Sequence, residues 1–161
     1  MKKALKWTVI VLAVIFACLQ FIRPIRNNPP IDESKTIEAR INVPPEIDSI
    51  FKRSCNDCHS SKTDWVWYSN VAPVSWHMSK HVEEGRAELS FSEWGAYTPK
   101  RAEHKLEEIC EQVEGNEMPL WDYVLLHPSA RLSDADKKLI CDWTDAERAK
   151  INLDLTAPAN K

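Results

Sequence analysis

The stretch Cys55-Asn56-Asp57-Cys58-His59-Ser60 sets two thiols close together, with an imidazole directly after the second. Three chemistries use such a set: a zinc corner, a redox dithiol and covalent attachment of haem. In the last, each cysteine sulfur adds to one vinyl group of the porphyrin to form a thioether, and the histidine ligates iron from the proximal side. Structural zinc needs four closed ligands, usually from two such pairs. No second close Cys or His pair follows, and Cys110 and Cys141 stand far apart. A thioredoxin-type dithiol belongs at the end of a strand in a βαβ setting, and no such setting is visible. A plain Cys55–Cys58 disulfide is the weakest alternative. Haem attachment is the reading the residues favour.

Iron held by His59 needs a second axial ligand from another segment. Met118 precedes Pro119 and follows a helix stop at Gly115, so a loop there can present its thioether. The plain alternative is a flexible apolar filler. His81, His77 and His127 are rival ligands, each also readable as an exposed or capping histidine. Met78 reads as core, and His104 lies mid-helix. His/Met ligation raises the reduction potential and leaves no open position. That suits a single-electron carrier, not an enzyme, and no catalytic residue stands out. An open or labile sixth position would instead suit a haem-based sensor or small-ligand binder.

Aromatic residues are the natural neighbours of a porphyrin. Trp76, Trp94, Trp121 and Tyr123 are the candidates to line it; the last two follow Met118-Pro119 directly. Ordinary packing is the alternative for each. Arg86, Lys100 and Arg101 can pair with propionates or simply face solvent.

These residues must be held by helices. Pro45 suits a first helical position, with Glu46 and Asp48 favouring the positive helix end. Ile47, Ile50 and Phe51 then share a face leading into Cys55. A second helix is predicted within Val74 to Glu84, ended by Gly85. Thr98-Pro99 opens a third, in which Ala102, Leu106, Ile109, Cys110 and Val113 form a stripe, stopped by Gly115. Ser133-Asp134-Ala135-Asp136 is a capping box with Asp in the usual Glu place, and Leu139, Ile140 and Trp143 line the helix after it. No stretch alternates as a strand, so the domain reads as all-α. Cys110 and Cys141 fall on two of these helices and are either bridged or separately buried.

The ends differ in character. Residues 1–22 begin with MKKALK and continue apolar from Trp7 to Ile22, which reads as a transmembrane anchor. A cleaved signal and lipidation at Cys18 are the alternatives. Residues 23–45 carry five prolines and read as an extended tether, of which the part with apolar Ile37, Ile41 and Val43 can pack on the domain. Residues 46–150 read as the domain that would hold haem, and 151–161 as a tail. The whole chain has a net charge of −3 with no Lys/Arg block, so nothing points to nucleic acid. From Glu46 onward, 14 Lys and Arg stand against 21 Asp and Glu, so this part is acidic.

The segments SCNDCHS (54–60), WYSNVAPVSW (67–76), EEGRAELSFSEW (83–94), EMPLWDYVLLHP (117–128) and LSDADKKLICDW (132–143) give the chain a family likeness. It resembles a class I cytochrome c and, more narrowly, the bacterial haem-binding domain family of membrane-anchored c-type cytochromes. The resemblance spans about Val43 to Lys150, plus the apolar start and the FIRP stretch. It implies a small helical domain wrapped around one covalently bound haem c. Cys55 and Cys58 match the thioether positions, His59 the proximal ligand and Met118 the methionine of the Met-Pro loop. Cys110 and Cys141 stand where aliphatic residues would fit the pattern. The location expected is the bacterial inner membrane with the haem domain facing the periplasm. Expected partners are redox proteins there and the cytochrome c maturation machinery.

Overall fold

The computed structural model describes residues 1–156, and these form helices joined by turns and loops, with no strand among them. In chain order the α-helices are α1 (Lys2–Leu19), α2 (Ile37–Arg40), α3 (Pro45–Ser54), α4 (Asn56–His59), α5 (Val74–Glu88), α6 (Pro99–Glu114), α7 (Trp121–Leu126) and α8 (Asp134–Thr156). Short 3-10 turns lie between them, among them Phe91–Ala96. The all-α expectation holds.

Helix ends follow local chemistry. Pro45 opens α3, where a missing N–H costs nothing. The Thr98 hydroxyl accepts the Arg101 N–H and Pro99 stands at the first position of α6. Ser133 Oγ accepts the Asp136 N–H at 3.1 Å while Asp136 Oδ2 accepts the Ser133 N–H at 2.8 Å, so the shorter Asp closes the box. Gly115 caps α6 as expected.

The core joins α3, α6 and α8. Ile47, Ile50 and Phe51 of α3 are buried with Ala102, Leu106, Ile109 and Val113 of α6 and Ile140 and Trp143 of α8. Phe51 stacks on Phe91 at 4.6 Å and meets Trp143 edge-on at 5.5 Å. Each such aliphatic or aromatic side chain contributes about 1.5–3 kcal/mol by leaving water. Arg53 of α3 also pairs with Asp136 of α8 at 2.7 Å.

Cys110 and Cys141 form a disulfide between α6 and α8, with Cα atoms 4.9 Å apart and a sequence separation of 31. Of the two alternatives left by the sequence, the bridged one is found. A loop of that length is stabilised by about 4 kcal/mol on the chain-entropy model. Cys110→Ala with Cys141→Ala is therefore expected to lower the unfolding free energy by roughly that amount, measured by urea denaturation with and without a reductant. Reductant should weaken the parent chain and leave the double variant unchanged.

Three expectations are corrected. Residues 23–45 are a strap on the domain, not a free tether. Arg26 donates to the Ser69 carbonyl at 2.7 Å, Asn28 to the Thr63 carbonyl at 2.9 Å, and Arg86 to the Asn27 carbonyl at 3.0 Å. Ile37 is fully buried, in keeping with the packing its apolar side chain allowed. Polar side chains that read as solvated linker are bonding groups for the domain's backbone. The second correction concerns residues 1–22. No helix of the described residues is long and apolar enough to cross a membrane. Lys2, Lys3 and Lys6 occupy the start of α1, and its helix ends at Leu19. Beyond that point Gln20 exchanges hydrogen bonds with the backbone of Ala72, and the Ile22 carbonyl accepts the Trp76 indole N–H at 2.7 Å. The apolar run is therefore shorter than its sequence suggests, and its end is bonded to the domain. Third, α8 carries residues 151–156 as helix; the rest of the expected tail, 157–161, lies outside the described residues.

Candidate functional site

The motif folds as a tight turn at the end of α3. Ser54 ends that helix, Cys55 breaks its geometry, and α4 then presents Cys58 and His59. All three chemical groups face one cavity of about 590 Å³. That volume is in the range of sites for small organic cofactors.

The histidine is fixed from behind. His59 Nδ1 lies 3.0 Å from the Gly85 carbonyl and 3.1 Å from the Leu89 carbonyl. Carbonyls only accept, so Nδ1 carries the proton and Nε2 keeps its lone pair. A backbone carbonyl on the far nitrogen is the usual way a metal-ligating imidazole is oriented. Burial lowers the pKa of His59, which keeps it neutral and able to ligate.

Gly85 makes this support possible. The sequence reading placed it at a helix end, but α5 runs on to Glu88. Its role is close approach: a Cβ there would lie 2.6 Å from the Cys58 carbonyl oxygen and 3.0 Å from Cys58 Cβ. Backbone oxygen cannot move aside cheaply. Gly85→Ala is expected to push α5 off the motif and destabilise by about 1–3 kcal/mol, the range for overpacking. Chemical denaturation should show it.

The thiols are buried. Burial pushes Cys55 up to about 12 and Cys58 up to about 11. They therefore stand as thiols at neutral pH, the opposite of an activated redox dithiol. Zinc is disfavoured by geometry. The convergent donor sets among the described residues are His77/His81/Asp122 and Cys110/Glu114/Cys141, each within 4.8 Å. Cys55, Cys58 and His59 do not form one.

The remaining walls come from three directions. Phe51, Phe91, Ile109, Val113, Leu132 and Ile140 give apolar surface. The segment after α6 brings in Met118, Pro119 and Leu120, and α7 adds Tyr123. Met118 thus shares the cavity with His59, as does the rival ligand His81. Glu84, Glu88, Glu108 and Glu111 also line it, with Lys105 as the basic residue; Lys105 pairs with Glu108 at 2.5 Å.

The expected aromatic neighbours divide. Tyr123 lines the cavity. Its hydroxyl donates to Asp57 Oδ2 at 2.7 Å, so a residue inside the motif holds the Met118 segment in place. Burial, then this bond, raises the Tyr123 pKa and keeps its proton on. Trp76, Trp94 and Trp121 do not line the cavity. Trp76 donates to the Ile22 carbonyl at the end of the N-terminal run, Trp94 is 3 % exposed in the core and Trp121 is 79 % exposed. The other histidine rivals are engaged elsewhere: His127 Nδ1 faces the Tyr123 carbonyl at 3.0 Å and its Nε2 accepts from the Tyr68 hydroxyl at 2.8 Å. Sequence reasoning missed Asp57 and the true role of Gly85. Asp57 stands at a motif position that tolerates many residues, and only its partner across the fold reveals its use.

The residues from 14 to 146 match the model of a known family, the Haem-binding domain. The chain belongs to the Haem-binding domain family. A search of curated proteins and one of solved structures return no match. The residues present fit the haem that this family binds. The cavity is large enough, mostly apolar in its lining side chains, and supplied with an imidazole whose ligating nitrogen is free and whose other nitrogen is anchored. The residues that would hold that haem line the cavity between α4, α5, α6 and the segment that starts at Met118.

Proposed function

We propose that the chain binds one haem c covalently and carries single electrons on the periplasmic side of the bacterial inner membrane. The observation that carries this reading is the meeting of Cys55, Cys58, His59 and Met118 at one cavity. When bound, haem supplies a one-electron iron couple. The chain's residues do the rest. Cys55 and Cys58 would form the thioethers, each S–H adding across one vinyl double bond, and His59 would offer Nε2 while the Gly85 and Leu89 carbonyls hold its other nitrogen. Met118 would offer its thioether sulfur as a second ligand to the iron, steadied through Tyr123 and Asp57. Iron held by both residues would keep no open position for a substrate, which suits a carrier and not an enzyme.

The compartment is argued from the Cys110–Cys141 bridge, since disulfides persist in oxidising surroundings. Haem would be attached there by the cytochrome c maturation machinery. The carboxylates of Glu84, Glu88, Glu108 and Glu111 at the cavity favour redox partners with a basic face, and association should slow as salt rises.

A second reading, a haem-based sensor, draws support from His81, which lines the same cavity and can compete with Met118. Spectroelectrochemical titration and carbon monoxide separate the two. A carrier gives one reversible one-electron step and a ferrous spectrum that carbon monoxide changes little or slowly. A rapid, complete Soret shift would favour the sensor.

A further inference from the structure

His77 and His81 are one helical turn apart on α5, so their rings lie on the same face, with centroids 4.0 Å apart. Asp122, in the first turn of α7, reaches across to them. Its Oδ2 accepts from His77 Nε2 at 2.6 Å, and its Oδ1 accepts the Tyr123 N–H at 2.9 Å. One ligand atom from each of the three residues lies within 4.8 Å of the others. None of the three is needed for the thioethers or for the His59 and Met118 ligation proposed above.

We infer that His77, His81 and Asp122 form a binding site for one divalent transition-metal ion of the zinc class. Two imidazoles and a carboxylate are a donor set suited to such ions, which bind nitrogen and oxygen at about 2.0–2.2 Å and complete their shell with water. Histidines at i and i+4 on one helix are the spacing of helix-borne zinc ligands. Small rotations of three side chains already within 4.8 Å bring their donors round one ion. The carboxylate is oriented beforehand by the Tyr123 N–H, the kind of outer bond that supports metal ligands. His77 is exposed and His81 half-buried, so an ion enters from solvent.

The other convergent set, Cys110, Glu114 and Cys141, is unsuitable because its sulfurs are joined to each other. His104 with Glu107 and Glu108, at 3.4 and 3.2 Å, offers one imidazole only. The site has a place in the architecture. It joins α5, which backs His59 through Gly85, to α7, which follows directly on Met118, Pro119 and Leu120. An ion there fastens the segment that brings Met118 to the cavity.

The test is calorimetric titration of the full-length, haem-loaded chain with zinc chloride. The expected result is one ion bound per chain, an affinity at least tenfold weaker in His77→Ala and in Asp122→Asn, and no change in His104→Ala. The haem absorption spectrum should be the same in His77→Ala as in the parent. Absence of binding up to millimolar zinc overturns the inference. Binding that survives both His77→Ala and Asp122→Asn, or that is lost in His104→Ala alone, also overturns it. Haem attachment is read separately by absorbance, so failure here does not touch it.

Discussion

A chain carrying both Cys55→Ala and Cys58→Ala is expected to lose all of its haem to acidified organic solvent. The physical reason is the change from a tethered to a free ligand. A thioether keeps the porphyrin at the cavity whatever the haem concentration outside. Without either bond, haem is held by His59, Met118 and apolar contact alone, and its contribution to stability becomes a mass-action quantity. The thermal midpoint of the double variant should therefore rise with added haem, by up to about 2.7 kcal/mol of stabilisation when free haem is a hundredfold above its dissociation constant. The parent should show no such dependence. Single variants should each keep one covalent link. A parent chain whose midpoint moves with added haem, or a double variant that still retains haem after extraction, would count against both cysteines as attachment points.

Met118→Ala is the second variant with a large expected effect. Sulfur ligation favours ferrous iron, so its loss should lower the reduction potential, by on the order of 0.1 V within the ~0.8 V range that axial ligands span. It also opens the sixth position. Carbon monoxide should then bind the ferrous protein quickly, where the parent resists it. Met118→His should keep the site closed while still lowering the potential. Spectroelectrochemistry and rapid mixing measure the two effects. If neither moves in Met118→Ala, His81 is the ligand to examine, because it lines the same cavity.

Much of this site is written locally in the chain. The turn that bears Cys55, Cys58 and His59 is set by neighbouring residues, and so are the caps at Thr98, Gly115 and Ser133. Periodicity placed Ile47, Ile50, Phe51, Leu106 and Ile140 on inward faces, which is where they lie. What sequence could not reveal depends on contacts between distant segments. Gly85 looked like a helix end because glycine often stops helices; its need for space against Cys58 appears only when α5 meets α4. Arg26, Asn27 and Asn28 looked like solvated linker because their partners, Ser69, Thr63 and Arg86, lie far along the chain. The tryptophans misled for a similar reason. A large aromatic ring fits a cofactor wall, a core or a contact with a distant segment equally well, and Trp94 and Trp76 serve the last two. Lysines ahead of the apolar run read as the flank of a membrane anchor, but they are part of α1 itself and take up its length.

Covalent attachment is the claim on which the carrier reading stands, and the mass of the unfolded polypeptide tests it most directly. The full-length chain, produced with the cytochrome c maturation machinery, is denatured, extracted with acidified solvent and weighed by mass spectrometry. The expected mass is that of the polypeptide plus one haem, with the red colour staying in the protein fraction. A mass equal to the polypeptide alone, with the colour in the solvent, would contradict it.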